Sequence, residues 1–252
     1  MKKLKFNIPK ASGIELAAKM DMPEAGEPDN YGIFAHCFTC GKDLKLIKYI
    51  SGVLAESRIS LLRFDFTGLG ESGGNFADTT FEGAVGDIIE AAGYLDKNFG
   101  QPSFLVGHSM GGPLVLAAAG RLDSVKAVVL IASTDNLAAF GERLLTKKAA
   151  PMADGSYSVN VSGRKFNLKK GFFDSMMNTD IPSLVKSLGK PVMIIHASGD
   201  STVGVTAANT IFENAGYPKA LVITASSEHL FNDRKEAEHL GRLINSWLTA
   251  YI

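Results

Sequence analysis

Ser103-Phe104-Leu105-Val106-Gly107-His108-Ser109-Met110-Gly111-Gly112-Pro113-Leu114-Val115-Leu116-Ala117-Ala118-Ala119 decides how the rest of this chain is read. An apolar run predicts a strand, G-x-S-x-G follows it, and an unbroken apolar stretch predicts a helix directly afterwards. A serine hydroxyl is a weak nucleophile at neutral pH and must be aimed and deprotonated by its neighbours. A sharp turn between strand and helix lifts Ser109 Oγ clear of the backbone. The flanking positions, Gly107 and Gly111, are then expected to need glycine because the turn is crowded. The first N–H groups of the helix and its positive dipole end face any oxyanion that develops.

The same alternation of short apolar strands and amphipathic helices extends to both sides. Leu4 to Ile8 and Ile14 to Asp21 predict an antiparallel hairpin at a sheet edge. Tyr31 to His36 and Ser60 to Phe64 predict further strands, as do Val125 to Ile131, Val192 to Ala197 and Lys219 to Thr224, with both faces apolar. Asp43 is expected to cap a helix carrying Leu46, Ile47, Ile50, Val53 and Leu54. Phe81, Val85, Ile88, Ala92 and Leu95 mark another helix, Thr206 to Ala215 a third, and Asp233 opens the last. The fold class is therefore α/β: a mostly parallel, doubly wound sheet of about eight strands. In such sheets the ligand site lies beyond the carboxyl ends of the strands.

One segment breaks the pattern. Residues 133–190 are expected to form a cap inserted into a core of residues 1–132 and 191–252. Val159 to Phe166 predicts a small hairpin with a Ser162-Gly163 turn. Phe172, Phe173, Met176 and Met177 follow on a short helix and are candidates for substrate contact, since flexible apolar side chains suit irregular ligands.

The chain has 252 residues, 46% of them apolar, with 26 acidic and 26 basic side chains. Zero net charge offers no electrostatic case for binding nucleic acid or an anionic membrane. The basic start Met1-Lys2-Lys3 leads into no apolar core of a signal peptide, and no run is long enough for a membrane helix. A cytoplasmic protein, monomeric or homodimeric, is expected. Cys37 and Cys40, the only cysteines, are expected to remain reduced, being too few for a metal site. The C-x-x-C spacing also admits a thiol redox protein.

Ser109 needs a base, and the base an orienting acid. His239 falls mid-helix where solvent is expected, and His196 inside an apolar strand end. His229 lies between the last strand and the last helix and is the candidate base. Asp200, just past a parallel strand, is the candidate acid; Asp174 and Asp180 belong to the insertion, and Glu228 adjoins His229 too closely. The oxyanion is expected to meet the backbone N–H groups of Met110 and of Phe38, in the loop after the third strand. Both side chains then border the acyl pocket, and His36 pins the loop by hydrogen bonding.

With these residues placed, the chain resembles α/β-hydrolase-fold serine esterases from about residue 4 to 250. It is most similar to the hydrolase half of bifunctional α/β-hydrolase/OsmC proteins. The likeness rests on Phe34-Ala35-His36-Cys37-Phe38-Thr39-Cys40, Leu62-Arg63-Phe64-Asp65-Phe66-Thr67-Gly68-Leu69-Gly70, the elbow, and the Asp200 and His229 loops. It implies a Ser109–Asp200–His229 triad that hydrolyses a small-molecule ester with no metal or organic cofactor. His36-Cys37 stands where His-Gly is widespread, and Gly204 where many relatives have proline. The chain ends at Ile252 without an OsmC-like domain, so no peroxide chemistry is expected. The leading expectation is a serine carboxylesterase for short- to medium-chain acyl esters. A thioesterase or lipase for longer chains would use the same triad, and a catalytically silent binding module would leave Ser109 unreactive.

Overall fold

In the computed structural model, which describes residues 1–161, 163–226 and 228–252 and only the backbone of 147 and 148, the alternation closes into one central sheet. The chain runs β1 (Lys2–Pro9), β2 (Glu15–Met22), β3 (Asn30–Ala35), α1 (Lys45–Glu56), β4 (Ile59–Phe64), α2 (Phe81–Asn98), β5 (Pro102–His108), α3 (Gly111–Ala119) and β6 (Ala127–Ile131). The departure from the pattern follows: α4 (Leu137–Lys148), β7 (Ala149–Pro151), β8 (Tyr157–Val161), β9 (Arg164–Leu168), α5 (Lys170–Met177) and α6 (Ile181–Ser187). The alternation then resumes with β10 (Val192–Ala197), α7 (Thr206–Asn214), β11 (Lys219–Thr224) and α8 (Arg234–Leu248).

The strand order is β1-β2-β4-β3-β5-β6-β10-β11, eight strands as expected. β1 and β2 pair antiparallel, β2 joins β4 antiparallel, and every later pairing is parallel. Helices cover both faces. Leu46, Ile47, Ile50 and Leu54 of α1 and Leu240, Ile244 and Leu248 of α8 pack on one. α2, α3 and α7 pack on the other, with Val85, Ile88, Leu114, Val115 and Ile211 buried there. Each such aliphatic side chain taken wholly from water contributes about 1.5–3 kcal/mol to the core.

Two expectations change. Asp43 does not cap α1: Leu44 occupies that position without a side-chain bond, while Asp43 lies 2.6 Å from Lys19 Nζ and 3.1 Å from Arg63 Nη1. Those two cations on neighbouring strands compete for it more strongly than a free helix N–H, and hold its carboxyl down to about 2 despite partial burial, which acts the other way. β11 is not buried on both faces, because it is the last strand of the sheet; Ile223 is exposed. Asp233 does cap α8, accepting from Glu236 N at 2.9 Å.

Within 133–190, β7, β8 and β9 form a separate three-stranded antiparallel sheet. Val161 stands opposite Arg164 across the expected turn, whose Ser162 lies outside the described residues.

Candidate active site

β5 ends at the elbow, and the elbow is strained. Ser109 has φ +55°, a left-handed conformation that costs a non-glycine residue about 1–3 kcal/mol. Two bonds hold it there: Ser109 N donates to Ile131 O at 2.9 Å, and Gly112 N donates to Ser109 O at 3.0 Å. The glycine requirement is steric. A Cβ on Gly107 would stand 2.4 Å from Gly111 O, and one on Gly111 would stand 2.2 Å from Ala35 O. Strand, turn and helix interlock with no room for a methyl group.

β10 ends at Ala197 and delivers Asp200, which is 6% exposed. Its Oδ1 accepts from Thr202 N at 2.8 Å and Val203 N at 3.0 Å; its Oδ2 is 2.6 Å from His229 Nδ1. Burial works to raise the Asp200 pKa, but the bond to His229 and the backbone donors outweigh it and keep the carboxyl below its ordinary value. An ionised carboxylate only accepts, so Nδ1 of His229 carries the ring proton and Nε2 is left as an acceptor. That Nε2 lies 3.0 Å from Ser109 Oγ. The three side chains predicted from separate loops thus form one continuous chain of hydrogen bonds. Ser227, in the same loop as His229, lies outside the described residues.

Three other histidines are buried supports. His196 donates from Nε2 to Val203 O at 2.9 Å and lies 3.7 Å from Asp200 Oδ2, which ties down the acid's loop. His36 bonds Cys37 O through Nδ1 at 2.8 Å and accepts from Phe66 N at 3.4 Å through Nε2; burial lowers its pKa and keeps it neutral. His108 was not singled out from the sequence. It lies at the variable position of the elbow, and its Nε2 donates to His229 O at 2.9 Å. Only the fold reveals this bond, since 121 residues separate the partners. His239 is exposed, as expected.

The loop after β3 carries the other correction. Cys37 and Cys40 are not reduced but joined as a disulfide. Thr39, at φ +61°, folds the loop back so that Cys40 N donates to Cys37 O at 3.1 Å, and the two Cα atoms stand 5.3 Å apart, within bridging range. Beyond Cys40 the loop is anchored by Asp65, which accepts from Lys42 N at 2.7 Å, Lys42 Nζ at 2.5 Å and Glu71 N at 2.9 Å. Burial tends to lower the Lys42 pKa, but Asp65 and Glu71 more than offset it and keep the ammonium charged. Among the described residues, neither Phe38 N–H nor Met110 N–H donates to a protein acceptor.

Two cavities meet at Ser109, of about 290 and 450 Å³. Phe38 and Ser109 border both, and Met110 borders the smaller. The four apolar candidates of α5 do not reach them. Phe173 is buried edge-on against Tyr157, Met177 is exposed, and Phe172 and Met176 border a small apolar pocket on the far side of Phe38. Instead α4 and the β8–β9 hairpin supply Phe140, Arg143, Leu144, Val161 and Arg164 to the larger cavity. Among the described residues, no group of three His, Cys, Asp or Glu side chains is placed to hold a metal ion, and no helix is long and apolar enough to cross a membrane.

A doubly wound sheet with a serine at the elbow after its fifth strand, and a histidine and a carboxylate on later loops, defines the class of molecule. The chain belongs to the alpha/beta hydrolase family, whose pattern residues 33–235 match. It is similar to the esterase domain of a Rhodothermus marinus protein, 32% identical with a TM-score of 0.81, covering 100% of this chain and 99% of the other. Est1E from Butyrivibrio proteoclasticus, solved with ferulic acid bound, is 25% identical with a TM-score of 0.83, covering 97% and 98%. YqkD from Bacillus subtilis is 25% identical over 251 residues, which are 98% of this chain and 80% of that protein.

Proposed function

We propose that the protein is a serine carboxylesterase for short- to medium-chain acyl esters. His229 Nε2 takes the proton of Ser109, whose Oγ forms a bond to the ester carbonyl carbon. The N–H groups of Phe38 and Met110 receive the oxyanion, and removal of one such donor typically costs about 10²–10³ in rate. His229 returns the proton to the departing alcohol oxygen as the carbon–oxygen bond breaks. Water then repeats the sequence, and the net change is ester plus water to acid plus alcohol. Asp200 holds the ring and stabilises the imidazolium.

The observation that carries this reading is the pair of contacts from His229, 3.0 Å to Ser109 Oγ and 2.6 Å to Asp200 Oδ2. The N–H groups of Phe38 and Met110, which have no protein acceptor among the described residues, support it, as does likeness to an esterase domain along the whole chain. The division into a core of residues 1–132 and 191–252 and a cap of 133–190 belongs to the same proposal, as does kinship with the hydrolase half of the OsmC-fused proteins. Ser109→Ala is the test: turnover of p-nitrophenyl butyrate and labelling by a fluorophosphonate both disappear. Retained turnover would end the reading.

A second reading has one observation in its favour, the Cys37–Cys40 disulfide. It makes the protein a thiol–disulfide oxidoreductase, with reductase activity that survives Ser109→Ala and is lost in the Cys37→Ser/Cys40→Ser variant.

A further inference from the structure

Arg143 and Arg164 come from different elements of the 133–190 segment, α4 and β9, and both border the 450 Å³ cavity that ends at Ser109 and His229. Among the described residues, neither has a carboxylate partner within ion-pair distance, unlike Arg58, Arg63, Arg121 and Arg234. Each is oriented by an aromatic face. The Arg143 guanidinium lies 5.8 Å from the Phe140 ring centre, and that of Arg164 lies 5.1 Å from the Phe166 ring centre. A guanidinium attracted to a ring face still has N–H donors free for hydrogen bonds. Arg164 directs one such N–H to Thr39 O at 3.3 Å, which leaves four of its five donors without that partner.

Two oriented cations at the rim of a largely apolar cavity have a chemical meaning. Phe38, Phe140, Leu144 and Val161 line the same cavity, and among the described residues no acidic side chain borders it. Asp135 borders the smaller cavity, which it shares with Arg143 but not with Arg164. The apolar wall receives a hydrocarbon or aromatic body, the elbow receives a carbonyl, and the planar N–H edges match a carboxylate.

We propose that the natural substrate is an ester bearing a second, free carboxylate, held by Arg143 and Arg164 while Ser109 attacks the ester at the other end. This rests on the esterase reading above and names the class of ester. Hydrolysis then yields either a dicarboxylic acid and an alcohol, or an acid and a hydroxy-carboxylate.

The test compares matched esters at about pH 7.5, where carboxylates are ionised. One pair puts the charge on the leaving group, p-acetoxybenzoate against its methyl ester. The other puts it on the acyl group, mono-p-nitrophenyl adipate against p-nitrophenyl hexanoate. The ratio of kcat/KM for the charged and neutral members of at least one pair is expected to fall about tenfold in Arg143→Gln/Arg164→Gln, and to shrink in about 0.5 M sodium chloride. A ratio unchanged in both pairs overturns the proposal. Calorimetric binding of p-acetoxybenzoate and of adipate to Ser109→Ala protein separates this failure from failure of the esterase reading. Weaker binding of either anion in the arginine double-variant background supports the carboxylate site even if no ester is turned over. Equal binding of both anions in the two backgrounds overturns it.

Discussion

Asp200 meets His229 through one oxygen only, Oδ2 at 2.6 Å, because Thr202 and Val203 have claimed the other with their N–H groups. The backbone thereby fixes the carboxylate's rotation and leaves a single lone-pair direction for the ring. Asp200→Asn keeps the shape but removes the charge and puts an amide N–H within reach of Nδ1. Its kcat toward p-nitrophenyl butyrate is expected to fall about 10³–10⁴-fold with KM little altered, while circular dichroism remains that of the parent.

Acid stability should carry the mark of His108. Burial lowers its pKa from 6.5 to about 3, and the nearby His229 adds to the effect. The folded chain therefore leaves His108 neutral in the window where the unfolded chain protonates it, between about pH 6.5 and 3. Stability falls as pH falls through that window. Asp200 acts in the same direction lower down: its depressed pKa stabilises the fold above about pH 4, and that contribution is lost as acid protonates it. Urea unfolding of His108→Gln across this range is expected to show a flatter acid slope than the parent. Its kcat at neutral pH should also drop several-fold, because the bond to His229 O is disturbed.

The elbow glycines can be tested by adding one methyl group. Gly111→Ala puts a Cβ against Ala35 O and Gly107→Ala puts one against Gly111 O, both far inside contact distance. Each is expected to destabilise the protein by about 3 kcal/mol and to cut activity further by displacing Ser109. Gly52, mid-helix in α1 where an added Cβ meets nothing within 4 Å, serves as the control: alanine is favoured there by about 1 kcal/mol, so Gly52→Ala is expected to hold or raise the melting temperature.

The Phe38 loop is held at one end by the Cys37–Cys40 bond and at the other by Asp65. These anchors should respond differently. A disulfide that closes so short a loop contributes about 2 kcal/mol, so Cys37→Ala/Cys40→Ala is expected to lower kcat more visibly than stability. Asp65→Asn removes the buried one of the two carboxylates paired with Lys42 and leaves only the exposed Glu71, at 2.7 Å, a loss expected to cost about 3 kcal/mol. Parallel melts and kcat measurements on the two variants distinguish a catalytic clamp from a structural one.

The fold was legible because its signals are local. Strand periodicity, a G-x-S-x-G between strand and helix, and two loop residues after later strands all lie within short windows of sequence. The bond from His108 to His229 O and the meeting of Arg143 and Arg164 at one cavity were not, since each depends on segments brought together only by folding. α5 shows the limit of composition. Phe172 and Met176 look like a ligand surface, yet they are buried beyond Phe38, because an amphipathic stripe does not say which of two apolar neighbours it will face. Asp43 failed as a cap for a related reason: its partners Lys19 and Arg63 are distant in sequence and adjacent only across paired strands.

The short ribbon of β7, β8 and β9 is hydrogen-bonded within itself and shares no strand with the eight-stranded sheet that carries the elbow. Lengthening its hairpin or changing its outward residues therefore leaves the register behind Ser109 untouched. The side chains that this segment lends to the larger cavity can therefore vary while the strands that present Ser109 stay as they are.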